Sequence, residues 1–204
     1  MPIHPAKLAS VGRSIARLRD ALKQYCLAPD KLPVSLEDLS YAVEQLYELK
    51  VRTQKVDVNT RYIRGAVEFY PDRIEIYLLS NLDNAAARFV FAKELGQLIL
   101  KDAENVTDDP VALIDGLIQD QRLRGAAQAR ADVLSEQIAY IVAIELLFPF
   151  ELRTHVRKRI EDGESTLADE ATRLDIPEYV VELAISNGYA AVTLAMWGLP
   201  RAAE

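Results

Sequence analysis

The stretch Ala92-Lys93-Glu94-Leu95-Gly96-Gln97-Leu98 sets Lys93 and Gln97 four residues apart with a glutamate between them. Four-residue spacing puts the two on one face of a helix. At the same spacing, the paired imidazoles of an H-E-x-x-H helix hold a zinc ion, and the intervening glutamate takes a proton from the metal-bound water. Neither replacement here suits that task. A protonated lysine has no lone pair to donate, and a glutamine amide oxygen is a poor zinc ligand beside nitrogen or sulfur. The residues predict a helix that keeps the glutamate and loses the metal.

What surrounds the stretch gives it weight. Arg88-Phe89 precedes it, and after a long connection Glu136-x-x-Ala139 leads into Glu145-Leu146-Leu147-Phe148-Pro149. In this order the pieces resemble the ImmA/IrrE family of metallopeptidases, with its R-F-x-x-A-H-E-L-G-H-L helix, its E-x-x-A helix and a closing L-L-M-P. The resemblance spans residues 35–189 and is most specific at its centre. It implies an α+β, zincin-like fold, mainly helical, with a small twisted β-sheet and a hairpin before the motif helix. It also implies that Lys93 and Gln97 occupy the histidine positions, Glu94 the general-base position and Glu136 that of the carboxylate ligand. Zinc is expected in the family, whereas the donor set here implies no metal cofactor and an inactive Glu94.

Charge then makes a specific demand. If the two motif helices cross as the resemblance implies, Lys93 meets Glu136 where the zinc would have been, because a buried unpaired carboxylate is strongly unfavourable. One ammonium balances only one of Glu94 and Glu136. Either Arg88 supplies a second cation, or one carboxyl has a raised pKa. The vestigial pocket is thus expected to comprise Lys93, Gln97 and Glu136, with Arg88 nearby.

Several elements must position these groups. Leu8, Val11, Ile15, Leu18 and Leu22 recur at helical spacing and predict an amphipathic helix over 7–27 whose other faces carry Lys7, Arg13, Arg17, Arg19 and Lys23. A second helix is predicted over 35–49, capped by Ser35 with Asp38 reaching back. Strands follow at 51–58 and in a hairpin over 66–79, turned by Tyr70-Pro71-Asp72-Arg73. An edge strand there could hold an extended peptide by strand addition. The motif helix should run over 85–101, capped by Asn81, Asp83 or Asn84, and its partner over 131–148, where Ala139 and Ala143 allow close approach. The insertion at 107–130 suggests a further helix, as a lid or simple loop variation. The expected organisation is an N-terminal basic helix over 1–30, the peptidase-like domain over 31–161 and a small C-terminal helical region over 162–204.

Composition bounds the function. The chain has 204 residues, half of them hydrophobic, which is enough for a proper core. Cys26 is the single cysteine, so neither an intrachain disulfide nor a thiolate cluster can form. The start, Met1-Pro2-Ile3-His4-Pro5, has no apolar signal core, and no stretch has the length of a membrane helix, so a cytoplasmic protein with no membrane partner is expected. A net charge of -7 disfavours general affinity for phosphate backbones.

Other chemistries have less support. His4 and His155 do not form an i, i+4 pair, His155 has basic neighbours, and Cys26 has no histidine near it in sequence. Residues 166–187 have helix-turn-helix spacing, but the second helix carries Glu178 and Glu182 with no lysine or arginine, which repels phosphate and favours packing or partner docking. The expected function is therefore a regulatory protein-binding module. Family members act on helix-turn-helix repressors in stress response or mobile-element control, so the resemblance implies such a regulator, or another protein of the same locus, as partner. An active zinc endopeptidase cleaving a repressor and a DNA-binding regulator are the alternatives.

Overall fold

A computed structural model describes residue 3 and residues 5–26, 32–58, 64–102 and 126–199. Helix α1 (Pro5–Tyr25) forms on the predicted stripe, and Leu8, Val11, Ile15, Leu18 and Leu22 are all buried. Ser35 caps α2 (Leu36–Tyr47), its hydroxyl accepting the Asp38 amide at 2.9 Å. This helix stops at Glu48, which turns to left-handed backbone at φ 54°. Its buried Leu39, Ala42 and Val43 join the stripe of α1 in a shared core.

Three strands follow: β1 (Lys50–Val56), β2 (Gly65–Phe69) and β3 (Arg73–Leu79). The sheet order is β1-β3-β2, with β1 parallel and β2 antiparallel to β3. The hairpin turn falls at Pro71–Asp72, where the Tyr70 amide donates to the Arg73 carbonyl at 2.8 Å. On one face of β3, Ile74, Ile76 and Leu78 enter the core. The other face is polar: Tyr77 donates to both Glu68 and Glu75 at 3.0 Å, and Arg73 bonds Glu75 at 2.7 Å. Alternation along a half-buried sheet explains the two faces. Among the described residues β3 lies between its neighbours, so β1 and β2 are the edge strands.

Helix α3 (Asn84–Asp102) carries the motif and starts at Asp83, whose carboxylate accepts the Ala86 amide at 2.7 Å. Its partner α4 (Ala126–Leu147) begins earlier than the hydrophobic pattern predicts. The insertion expected over 107–130 lies mainly outside the described residues. Gly96 lets these helices approach: a Cβ there would sit 3.1 Å from both the Ala139 carbonyl oxygen and the Val142 Cβ. After α4 come α5 (Phe150–Glu161), α6 (Leu167–Leu174), α7 (Glu178–Ile185) and α8 (Asn187–Trp197). Thr166 and Asp169 form a reciprocal capping box at the start of α6.

The architecture is α+β, predominantly helical, with one small mixed sheet among the described residues. Residues of α1, α2, β2, β3 and α3 to α8 contribute to one continuous apolar cluster. No single helix among the described residues is long and apolar enough to cross a membrane.

Candidate functional site

Close packing of α3 on α4 decides which polar groups meet. Phe89, Lys93 and Gln97 lie on successive turns of α3, while Glu136 and Tyr140 lie on successive turns of α4. The Phe89 and Tyr140 rings touch edge to face with centroids 4.7 Å apart, fixing the register of the pair. One turn further along, the Lys93 ammonium reaches Glu136 Oε2 at 2.8 Å and Glu94 Oε1 at 2.9 Å. Gln97 donates from Nε2 to Glu136 Oε1 at 3.1 Å, so both oxygens of that carboxylate are held. Ser135 in turn donates to Gln97 Oε1 at 3.0 Å, which orients the amide.

The two carboxylates occupy different surroundings. The Glu94 side chain is 4 % exposed, whereas that of Glu136 is 50 % exposed. Burial drives the pKa of Glu94 up; Lys93 opposes this without cancelling it, so its carboxyl stays above the ordinary glutamate value. For Lys93, burial pulls the pKa down, but Glu94 and then Glu136 outweigh it and leave the ammonium harder to deprotonate than ordinary lysine. Glu94 Oε1, 2.9 Å from the ammonium, is paired with it by charge inside the buried pocket. The surplus negative charge implied by two glutamates and one lysine is thus relieved by favouring protonation of the buried one.

Arg88 does not enter this pocket. Its guanidinium donates to the Val34 carbonyl and lies 3.7 Å from Asp175, the left-handed residue that ends α6. The reason is helical phase: Arg88 is five positions before Lys93, so it faces the far side of α3. Instead of supplying a second cation, it ties α3 to the loop before α2 and to the C-terminal helices.

The β2 edge borders the same pocket. A Cβ on Gly65 would lie 2.4 Å from Val90 Cγ1 and 3.3 Å from Glu94 Cγ, so only glycine lets the strand start against α3 here. His155 is exposed on α5, and His4 lies outside the described residues. Cys26 is partly buried, its thiol 3.7 Å from the Asp38 carbonyl, and burial raises its pKa. That is not the environment of an activated thiolate.

A second polar cluster had no distinctive signal in the sequence. Glu145 is fully buried and accepts from Arg153 at 2.7 Å, with Trp197 at 3.3 Å and Tyr189 at 3.4 Å completing its shell. Arg19 of α1 adds a bond to the Glu145 carbonyl at 2.7 Å. The predicted basic surface of α1 therefore loses Arg19 to the interior. These bonds join α1, α4, α5 and α8 around a single carboxylate, a structural role consistent with their distance in sequence.

The helix-turn-helix-like segment folds as α6 and α7. Val180, Val181 and Ala184 pack inward from α7, while Glu178, Tyr179, Glu182 and Leu183 are exposed. No protein-family model matches the chain, and a search of curated proteins finds no match.

Proposed function

We propose that this chain is a metal-free pseudo-peptidase of the ImmA/IrrE type, with a zincin-like arrangement of α3, α4 and the sheet, that works as a regulatory protein-binding module. The observation that carries this reading is the Lys93 ammonium set between Glu94 and Glu136, with the Gln97 amide on the second Glu136 oxygen. A dication at that point would face a cation and an amide NH2, both donors of protons rather than of lone pairs, so these residues do not fit zinc. An ordered ammonium instead keeps the glutamates of the ancestral pocket in place.

Loss of the water-activating centre leaves the binding surfaces. Among the described residues the β2 edge beside Glu94 has no strand partner on its outer side and could take an extended segment, and α7 exposes an aromatic and an aliphatic side chain. The partner this reading favours is a helix-turn-helix regulator or another protein of the same locus. Direct duplex binding is disfavoured by Glu178 and Glu182 on the exposed side of α7.

The test is purification from the native host in zinc-supplemented medium, with metal analysis and identification of bound proteins. The expected result is a stable complex with an intact regulator and well under one zinc per chain. Stoichiometric zinc together with cleavage of the regulator would overturn the proposal.

A further inference from the structure

Helix α2 ends in a sharp reversal that brings its last turn beside β1. The C-cap residue Glu48 takes left-handed backbone, and only Leu49 separates it from Lys50, the first residue of the strand. Glu44, one turn earlier, therefore reaches β1. Its carboxylate accepts the Val51 amide on Oε1 and the Lys50 ammonium on Oε2, each at 3.0 Å. Burial would raise its pKa, but the Val51 amide and then Lys50 outweigh this and hold it below the ordinary glutamate value. At neutral pH the group is thus an acceptor only.

The phase of the strand shows what that bond closes. In a parallel ladder a residue turns its N–H and C=O to the same side, and the side alternates along the strand. The Lys50 amide donates to the Asp72 carbonyl at 2.9 Å, and the Val56 carbonyl accepts the Ser80 amide at 2.9 Å. Lys50, Arg52, Gln54 and Val56 therefore face β3, while Val51, Thr53 and Lys55 present their backbone to the outer edge. Of these three, Val51 has the Glu44 carboxylate, and Thr53 and Lys55 have no outward backbone partner among the described residues.

This edge is complementary to a second copy of itself. Antiparallel pairing centred on Thr53 sets Thr53 against Thr53, Val51 against Lys55, Arg52 against Gln54 and Lys50 against Val56, so no cation stands directly opposite a cation. The outward residues of one copy meet the outward residues of the other, which is the hydrogen-bonded phase of an antiparallel ladder. In it the Val51 N–H of one copy would donate to the Lys55 carbonyl of the other. Glu44 already occupies that place.

We propose that Glu44 is an intramolecular cap that keeps β1 from joining β1 of a second copy in one continuous sheet. The pairing would be two-fold, so the Glu44 of each copy closes one end of it. Only the central Thr53 pair is left, whereas a strand of about five residues needs outward positions along its whole length. Releasing the Glu44 carboxylate from the Val51 amide opens the edge. Lys93, Glu94 and Glu136 have no part in this contact, so it stands apart from the pseudo-peptidase reading.

Sedimentation velocity of the full chain over a concentration series is the test. Glu44→Ala is expected to self-associate at a concentration lower than the wild type requires by about tenfold or more. Glu44→Gln should behave as the wild type, because its amide oxygen still accepts the Val51 N–H. Adding Thr53→Pro to Glu44→Ala should restore wild-type behaviour, since proline there removes an outward N–H and takes no bond from the β3 ladder. In the wild type itself, hydrogen exchange at the Val51 amide should be slower than at Thr53 by about tenfold or more. Unchanged association of Glu44→Ala with a wild-type circular dichroism spectrum, association that survives Thr53→Pro, or equal exchange at Val51 and Thr53 in the wild type overturns the proposal.

Discussion

The ammonium of Lys93 lies 2.8 Å from Glu136 and 2.9 Å from Glu94, a cation bridging a carboxylate open to solvent and one sealed from it. Removing the bridge should be costly because Glu94 cannot rehydrate. Lys93→Met is expected to destabilise the fold by about 3 kcal/mol, the usual scale for stranding a buried charge. Adding Glu94→Gln to that variant should recover much of the loss. Urea unfolding of the two single variants and the double variant measures the coupling, and additive effects would show that the pair does not interact.

The pH dependence follows from the same pair. The folded pKa of Glu94 is raised, so its favourable contribution is complete below the unfolded value and lost as pH climbs through the folded one. Lys93 is raised as well, so its contribution holds below the ordinary lysine pKa and disappears in alkali as its folded pKa is passed. Stability of Glu94→Gln should therefore decline less than that of the wild type as pH rises above the ordinary glutamate range. Thermal melts across that range decide the matter; parallel curves would contradict the assignment.

Histidines placed at positions 93 and 97 should create a metal site if the proposed peptidase-like geometry holds. In Lys93→His with Gln97→His, two imidazoles one turn apart would face Glu136, which is the donor set of a zinc centre. Calorimetry is expected to show zinc binding well above that of the wild type, and a further Glu136→Ala change should weaken it by about tenfold or more. Absence of binding in a folded double variant would mean that α3 and α4 do not have the peptidase geometry.

Small residues at helix contacts give sharper expectations than propensity does. A Cβ on Gly12 would come within 2.7 Å of the Met196 carbonyl oxygen, and one on Gly96 within 3.1 Å of that of Ala139. Alanine favours a helix over glycine by about 1 kcal/mol. Gly12→Ala should nevertheless destabilise, because backbone has to move, and by more than Gly96→Ala. Melting temperatures in the opposite order would refute this reading of the contacts.

Much of the fold could be read from local pattern. The stripe of α1, the Ser35 cap, the Pro71–Asp72 turn and the i, i+4 relation of Lys93 to Gln97 depend on neighbours in sequence, and each has a periodicity or a capping chemistry that reveals it. The meeting of Lys93 with Glu136 was legible only through resemblance, since nothing in residue spacing brings α4 to α3. Arg88 shows the limit of that route: its nearness in sequence suggested a helper cation, but helical phase turns it toward Val34 and Asp175. Glu145 was illegible for a different reason. A glutamate beside Leu146 and Leu147 looks like a helix surface residue until Arg153, Tyr189 and Trp197 arrive from three other turns of chain.

The strand order β1-β3-β2 also bears on how the sheet is built. β1 leaves the ribosome first, yet every one of its ladder partners lies on β3, from Lys50 opposite Arg73 to Val56 opposite Leu79. Its partner strand follows β2 in the chain, and the short β2–β3 loop closes faster than the longer β1–β3 connection, so the hairpin is expected to form ahead of the parallel ladder. Until then the strand waits as an open template, and its Lys50, Arg52 and Lys55 are the kind of charges that discourage a stray chain from taking the vacant place.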